Sequence, residues 1–154
     1  MDRPNTIPWP PILYGLAVIA GFLLQRYIPL PWFPLFTAEY LFMLGIIMVL
    51  AGLAIDISAM LALRKHKTTA MPHKAASQLV TTGPFSFSRN PIYLGNTILT
   101  FGLGFVFGNV WLFVTGLAAA LITNRLAIKR EEAHLKAKFG TAWRKYATRV
   151  RRWI

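Results

Sequence analysis

The chain has no cysteine and only five acidic residues among 154. Without cysteine there is no disulfide, no thiolate nucleophile and no zinc–thiolate site. The three histidines (His66, His73 and His134) share no ligand-like spacing, so no metal centre is expected. Charge as a whole is scarce, at 14% of residues, where a soluble domain carries about 25%. With 55% apolar residues and a mean hydropathy of +0.48, that scarcity excludes an ordinary soluble enzyme and points to an integral membrane protein.

The charge that remains is mostly positive and unevenly placed. Residues 64–89 hold Arg64, Lys65, Lys67, Lys74 and Arg89 with no acid, and residues 125–154 hold ten Lys or Arg against Glu131 and Glu132. The formal net charge is +12. These cations flank apolar runs, so the positive-inside rule and anionic membrane lipids account for them better than a nucleic-acid partner does.

Length and patterning predict one domain over residues 1–154. It is all-α, with about four transmembrane helices and a C-terminal amphipathic interfacial helix. Residues 1–10 are proline-rich, include Trp9 as an interfacial anchor, and lack the plan of a removable signal peptide. Residues 1–63 hold the first two spans, over 12–27 and 38–63. Between them, three prolines forbid a regular helix, and Trp32, Phe33 and Phe36 suit headgroup level. Asp56 is costly inside the second span; pairing with a cation such as Arg64 is the simplest remedy, lining a polar site or lying near the interface the others.

Residues 64–154 form the core that carries the chemistry. A third span over 91–107 is followed by a turn at Gly108-Asn109, with Asn109 as N-cap of a fourth helix over 110–138. That helix leaves the membrane as its composition turns charged. Gly140 breaks it, and Trp143, Tyr146, Ala147 and Val150 then recur at helical spacing among cations, the pattern of a basic helix lying on the membrane surface. Lys and Arg are absent from the 28–38 connector and the 108–109 turn, so four crossings with both termini in the cytosol satisfy every loop.

The organising stretch is 79–95, LVTTGPFSFSRNPIYLG. Gly83-Pro84 predicts a tight turn, Phe85 and Phe87 follow it, and Asn90-Pro91 marks a helix start. The open N–H groups of that helix would face the same place as Arg89, which makes an anion site with Tyr93 just inside. The topology brings this stretch to the same side of the membrane as Asn124, Arg125, Lys129, Arg130, Glu131 and Glu132. Arg125, Lys129 and Glu132 lie near one helix face, and by spacing alone they read as a solvated helix end. His73 reads as a surface-loop residue, and Gly104/Gly108 and Gly116/Ala120 read as helix-packing pairs.

That stretch, followed about 35 residues later by REEAHLKAKFGTAWRKYATRVRRW, resembles the isoprenylcysteine carboxyl methyltransferase family and its bacterial relatives. It is similar more loosely to phospholipid methyltransferases. The shared features, over residues 64–152, are a Gly-Pro-aromatic turn, an Arg-(His or Asn)-Pro-x-Tyr helix start, a Glu-Glu pair, and Phe-Gly with spaced aromatics. Asn90 stands where eukaryotic members place histidine, and Trp143 where tyrosine is common.

The resemblance implies a membrane-embedded methyltransferase that uses S-adenosylmethionine without a Rossmann fold. Carried over by motif, Gly83, Pro84, Arg89, Asn90, Pro91, Tyr93, Leu94 and Gly95 would line the cofactor, with Glu131 and Glu132 completing the polar wall. Phe85, Phe87 or Tyr93 would stack on adenine or face the sulfonium. Arg89, Arg125 or Arg130 would hold a carboxylate acceptor, and a glutamate would take the proton of an amine acceptor. The implied acceptor is lipidic or amphiphilic, a prenylated molecule among them, and the implied location is the plasma (inner) membrane of a prokaryote. Competing readings are a nicotinamide-dependent reductase resembling the steroid reductases, and a noncatalytic membrane scaffold or lipid-binding protein.

Overall fold

The structure, a computed structural model, describes residues 9–32, 38–68 and 77–154. The expectations for residues 1–8, for the Trp9 side chain and for Phe33, Phe36 and His73 fall outside them. Every regular element among the described residues is helical: α1 (Trp9–Tyr27), α2 (Ala38–Lys65), α3 (Pro91–Val106), α4 (Val110–Thr123) and α5 (Lys129–Arg149). A 3-10 turn covers Gly83–Ser86, and a π-helical turn, Asn124–Ile128, carries α4 into α5 without a break.

Two helices are long and apolar enough to cross a membrane, one being α2 and the other starting at Val110. The 16 residues of α3 are apolar but, at 1.5 Å each, cover about 24 Å, short of the ~30 Å of a hydrocarbon core. Of the four expected crossings, two therefore meet the length and composition criterion by themselves. Large apolar side chains face outward along the helices, among them Leu16 and Ile19 of α1, Ile47 and Leu50 of α2, and Leu117 and Leu121 of α4.

Glycines set the seam between α2 and α3. A Cβ on Gly45 would lie 2.8 Å from the Gly102 carbonyl oxygen, and one on Gly52 would lie 2.7 Å from that of Gly95. The two pairs run in opposite directions along the chain and are seven residues apart on each helix, so α2 and α3 are antiparallel and touch backbone to backbone every second turn. On the far side α1 packs antiparallel to α4: Gly21 meets Leu112 and Thr115, while Tyr14 and Ala17 cluster with Ala119. Asn109 caps α4 as expected, accepting from the Trp111 N–H at 3.0 Å, and its amide also donates to the Gly21 carbonyl at 3.1 Å.

Three expectations change. Asp56 makes no ion pair with Arg64 among the described residues; its Oδ1 lies against the backbone of Gly95 with no hydrogen-bond partner. Asn90 opens α3 as foreseen, but its side chain does not cap the helix. The third concerns the C-terminal helix. Gly140 kinks α5 with a positive φ of 50°, a conformation that favours glycine, and the segment beyond it folds back. Its apolar face (Trp143, Tyr146 and Val150) is buried against Leu79, Leu135 and Phe139 rather than offered to lipid.

Candidate functional site

The site begins at the turn before α3. Gly83 takes φ +61°, Pro84 follows in the first turn, and Ser86 Oγ donates to the Gly83 carbonyl at 2.6 Å. This compact turn delivers Ser88, Arg89 and Asn90 to the N-terminus of α3. The chain end then docks on them through its own carbonyls. The Arg89 N–H donates to the Arg151 carbonyl at 3.0 Å, and Asn90 Nδ2 donates to the Arg152 carbonyl at 3.0 Å. That contact orients the Asn90 side chain toward the chain end, and its oxygen makes no capping bond to α3. Tyr146 secures the other side, its hydroxyl donating to the Phe85 carbonyl at 2.7 Å. Burial pushes the Tyr146 phenol well above its ordinary value, with Arg89 opposing and Glu132 adding to the shift.

Between the turn, α3 and α5 lies a cavity of about 70 Å³. Arg89, Asn90, Pro91 and Tyr93 line it from one side, Glu131 and Trp143 from the other, with Phe85 at the rim and aliphatic cover from Leu63, Leu79 and Leu135. Arg89 is half-buried, its guanidinium carbon 5.6 Å from the centroid of the Trp143 ring, and its Nε is buried with no hydrogen-bond partner. Tyr93 is buried and donates to Glu131 Oε2 at 3.0 Å. Glu131 lies beyond the apolar stretch of its helix. Burial raises its carboxyl above the ordinary value, the Tyr93 hydrogen bond partly offsets this, and the neighbouring Glu132 adds to it.

Adjacent residues on a helix point about 100° apart, and the two glutamates part accordingly. Glu132 does not line the cavity. It takes a two-pronged contact from Arg152 (Nε to Oε1 at 3.1 Å, Nη2 to Oε2 at 2.6 Å) and a longer one from Arg89 Nη2 at 3.4 Å.

The remaining residues expected at the site fall elsewhere. Gly95 is spent on the seam with α2, where a Cβ would meet Asp56 Oδ1 and the Gly52 carbonyl. Gly83, Pro84 and Leu94 shape or back the site without lining the cavity, and Arg125 is exposed on the π-helical turn. Trp143 and Tyr146 were legible only as the apolar face of a surface helix, although their place in the aromatic pattern after Phe-Gly was a usable signal. Arg152 carried no signal at all, being one of three arginines in Arg149–Arg152.

Two helices long and apolar enough to cross a membrane, and a cleft lined by Arg89 and Glu131, define the class among the described residues: an all-helical protein with candidate membrane spans. The family model for phospholipid methyltransferase matches residues 40–142, well over half of the chain, and the chain belongs to that family. An uncharacterised protein of Haemophilus influenzae is 35% identical over 63 residues, which are 41% of this chain and 79% of that protein. No solved structure matches it.

Proposed function

We propose that the protein is an S-adenosylmethionine-dependent methyltransferase acting on a lipidic or amphiphilic acceptor at the cytosolic face of a membrane. In this reading it crosses four times with both termini in the cytosol, in the plasma membrane of a prokaryote. The observation that carries the reading is the meeting of Arg89 and Glu131 in one cavity at the N-terminus of α3. The cofactor ends in an amino-acid zwitterion, and the donor set fits it. The unpartnered Arg89 Nε and the helix N-terminus suit the carboxylate, and Glu131 suits the ammonium or the ribose hydroxyls. Trp143, Phe85 and Tyr93 offer aromatic surface for adenine or for a sulfonium.

When bound, the cofactor supplies an activated methyl group, so the protein has mainly to align two reactants and keep water out. Leu63, Leu79 and Leu135 provide the dry cover. A carboxylate acceptor requires no base, whereas an amine acceptor must lose a proton, and ionised Glu131 is the group placed to take it. At about 70 Å³ the enclosed space is smaller than the ~300–1,000 Å³ of pockets that hold a ligand of this size, so part of a bound cofactor would extend beyond it. Glu132 and Arg125 stand outside this chemistry, the first committed to arginines and the second exposed.

Calorimetric titration of S-adenosylhomocysteine into the detergent-purified full chain tests the reading. Micromolar affinity is expected. A folded, monodisperse sample that binds nothing sinks it.

A further inference from the structure

Glu132 is held between two cations of unequal grip. Arg152 engages both carboxylate oxygens, at 3.1 and 2.6 Å, in the fork-on-fork geometry that makes arginine–carboxylate pairs strong. Arg89 reaches only one of those oxygens, at 3.4 Å, and keeps a buried Nε without a partner. Arg89 lines the cavity; Glu132 and Arg152 do not. Two guanidiniums thus share one carboxylate, and the less committed of the two is the one that faces the ligand space.

We propose that Arg152 is a positioning residue, which by satisfying Glu132 keeps Arg89 free for the anionic end of the ligand. The inference rests on the methyltransferase reading above, in which that end is the carboxylate of the cofactor's amino-acid group. Glu132 has a side-chain exposure of 13%, and a carboxylate that buried requires a cation. With Arg152 absent, Arg89 is the cation within reach. It would close the 3.4 Å gap, pair in both prongs, and turn its donors away from the cavity. With Arg152 present, the trio carries one surplus positive charge, and Arg89, which lines the cavity, keeps an unpartnered Nε. The main chain holds Arg152 in place. Val150 is extended, and the Arg151 and Arg152 carbonyls accept from the Arg89 N–H and the Asn90 amide. Those contacts do not involve the Arg152 side chain.

The test compares two probes on the full chain in detergent: S-adenosylhomocysteine, which has the amino-acid end, and 5′-methylthioadenosine, which lacks it. Arg152→Gln is expected to weaken the first about tenfold, the scale of one charge-assisted hydrogen bond, and to leave the second within about twofold. Adding Glu132→Gln to Arg152→Gln removes the competing carboxylate and is expected to restore the first probe to within about threefold of wild type. Thermal unfolding of each variant shows that it is folded; if Arg152→Gln alone is not, the double variant carries the comparison. Equal weakening of both probes would mean that Arg152 merely anchors the chain end, and overturns the inference. So does an unchanged affinity for S-adenosylhomocysteine, or a double variant that binds it no better than Arg152→Gln. Failure of the wild type to bind either probe overturns the methyltransferase reading itself, and this inference with it.

Discussion

Tyr93→Phe removes a single hydroxyl from the wall where α3 meets α5, and its consequence depends on pH in a way the structure specifies. That hydroxyl donates to Glu131 Oε2 at 3.0 Å. A hydrogen bond to an ionised carboxylate contributes about 1.5–3 kcal/mol net, against about 1 kcal/mol between neutral groups. Glu131→Gln keeps an acceptor oxygen but removes the charge. The coupling energy in a cycle of Tyr93→Phe, Glu131→Gln and the double variant therefore isolates the ionic part, about 1 kcal/mol where Glu131 is ionised. Burial raises the Glu131 carboxyl. Its contribution to stability is thus complete below the ordinary carboxylate pKa and is lost as pH rises through the raised folded value. Wild type should fall in stability relative to Glu131→Gln over that window, while the coupling to Tyr93 grows. Unfolding in detergent, followed by tryptophan fluorescence at about pH 5 and about pH 9, reads both quantities. A coupling that is the same at both ends, or larger at the acid end, would refute the assignment of this bond to an ionised Glu131.

Three further outcomes follow from the packing. Gly52→Ala should destabilise by about 1–3 kcal/mol, because its Cβ would lie 2.7 Å from the Gly95 carbonyl, where no rotamer change gives relief; Gly15→Ala, with nothing within 4 Å, should be neutral or slightly stabilising in the same thermal assay. Trp143→Ala empties the centre of the C-terminal cluster and should cost about 3–5 kcal/mol locally, seen as faster protease cleavage after Gly140 than in wild type. Asn109→Ala loses both the α4 cap and the link to Gly21, and should lower stability by about 1–2 kcal/mol; Asn109→Asp keeps the capping oxygen but sets a buried carboxylate against the Gly21 carbonyl, and should lose at least as much.

Local chemistry was the legible part. Pro91 starts α3, Asn109 caps α4 and Gly140 kinks α5, each where residue type alone placed it, because each is a property of one or two backbone positions. The amphipathic pattern of Trp143, Tyr146 and Val150 was equally plain, but periodicity says which face is apolar and not what covers it. Lipid was the expectation; Leu79, Leu135 and Phe139 are the partners. Asp56 shows the same boundary, since its burial was readable and its neighbour, the backbone of Gly95, was not.

By itself, then, the sequence determined the helical class and the helix ends, which follow from composition and caps acting over a few residues; that Arg89, Tyr93 and the Glu131–Glu132 pair share one region was implied by the family resemblance and not by spacing. Tertiary structure alone decided which glutamate faces the cavity, because neighbours on a helix diverge by about 100° and only the packing of α5 on α3 sets the zero of that rotation. It also decided that, of Arg149, Arg151 and Arg152, the last meets Glu132. That choice hangs on the extended turn at Val150 and on two carbonyls docked against Arg89 and Asn90, more than sixty residues away along the chain.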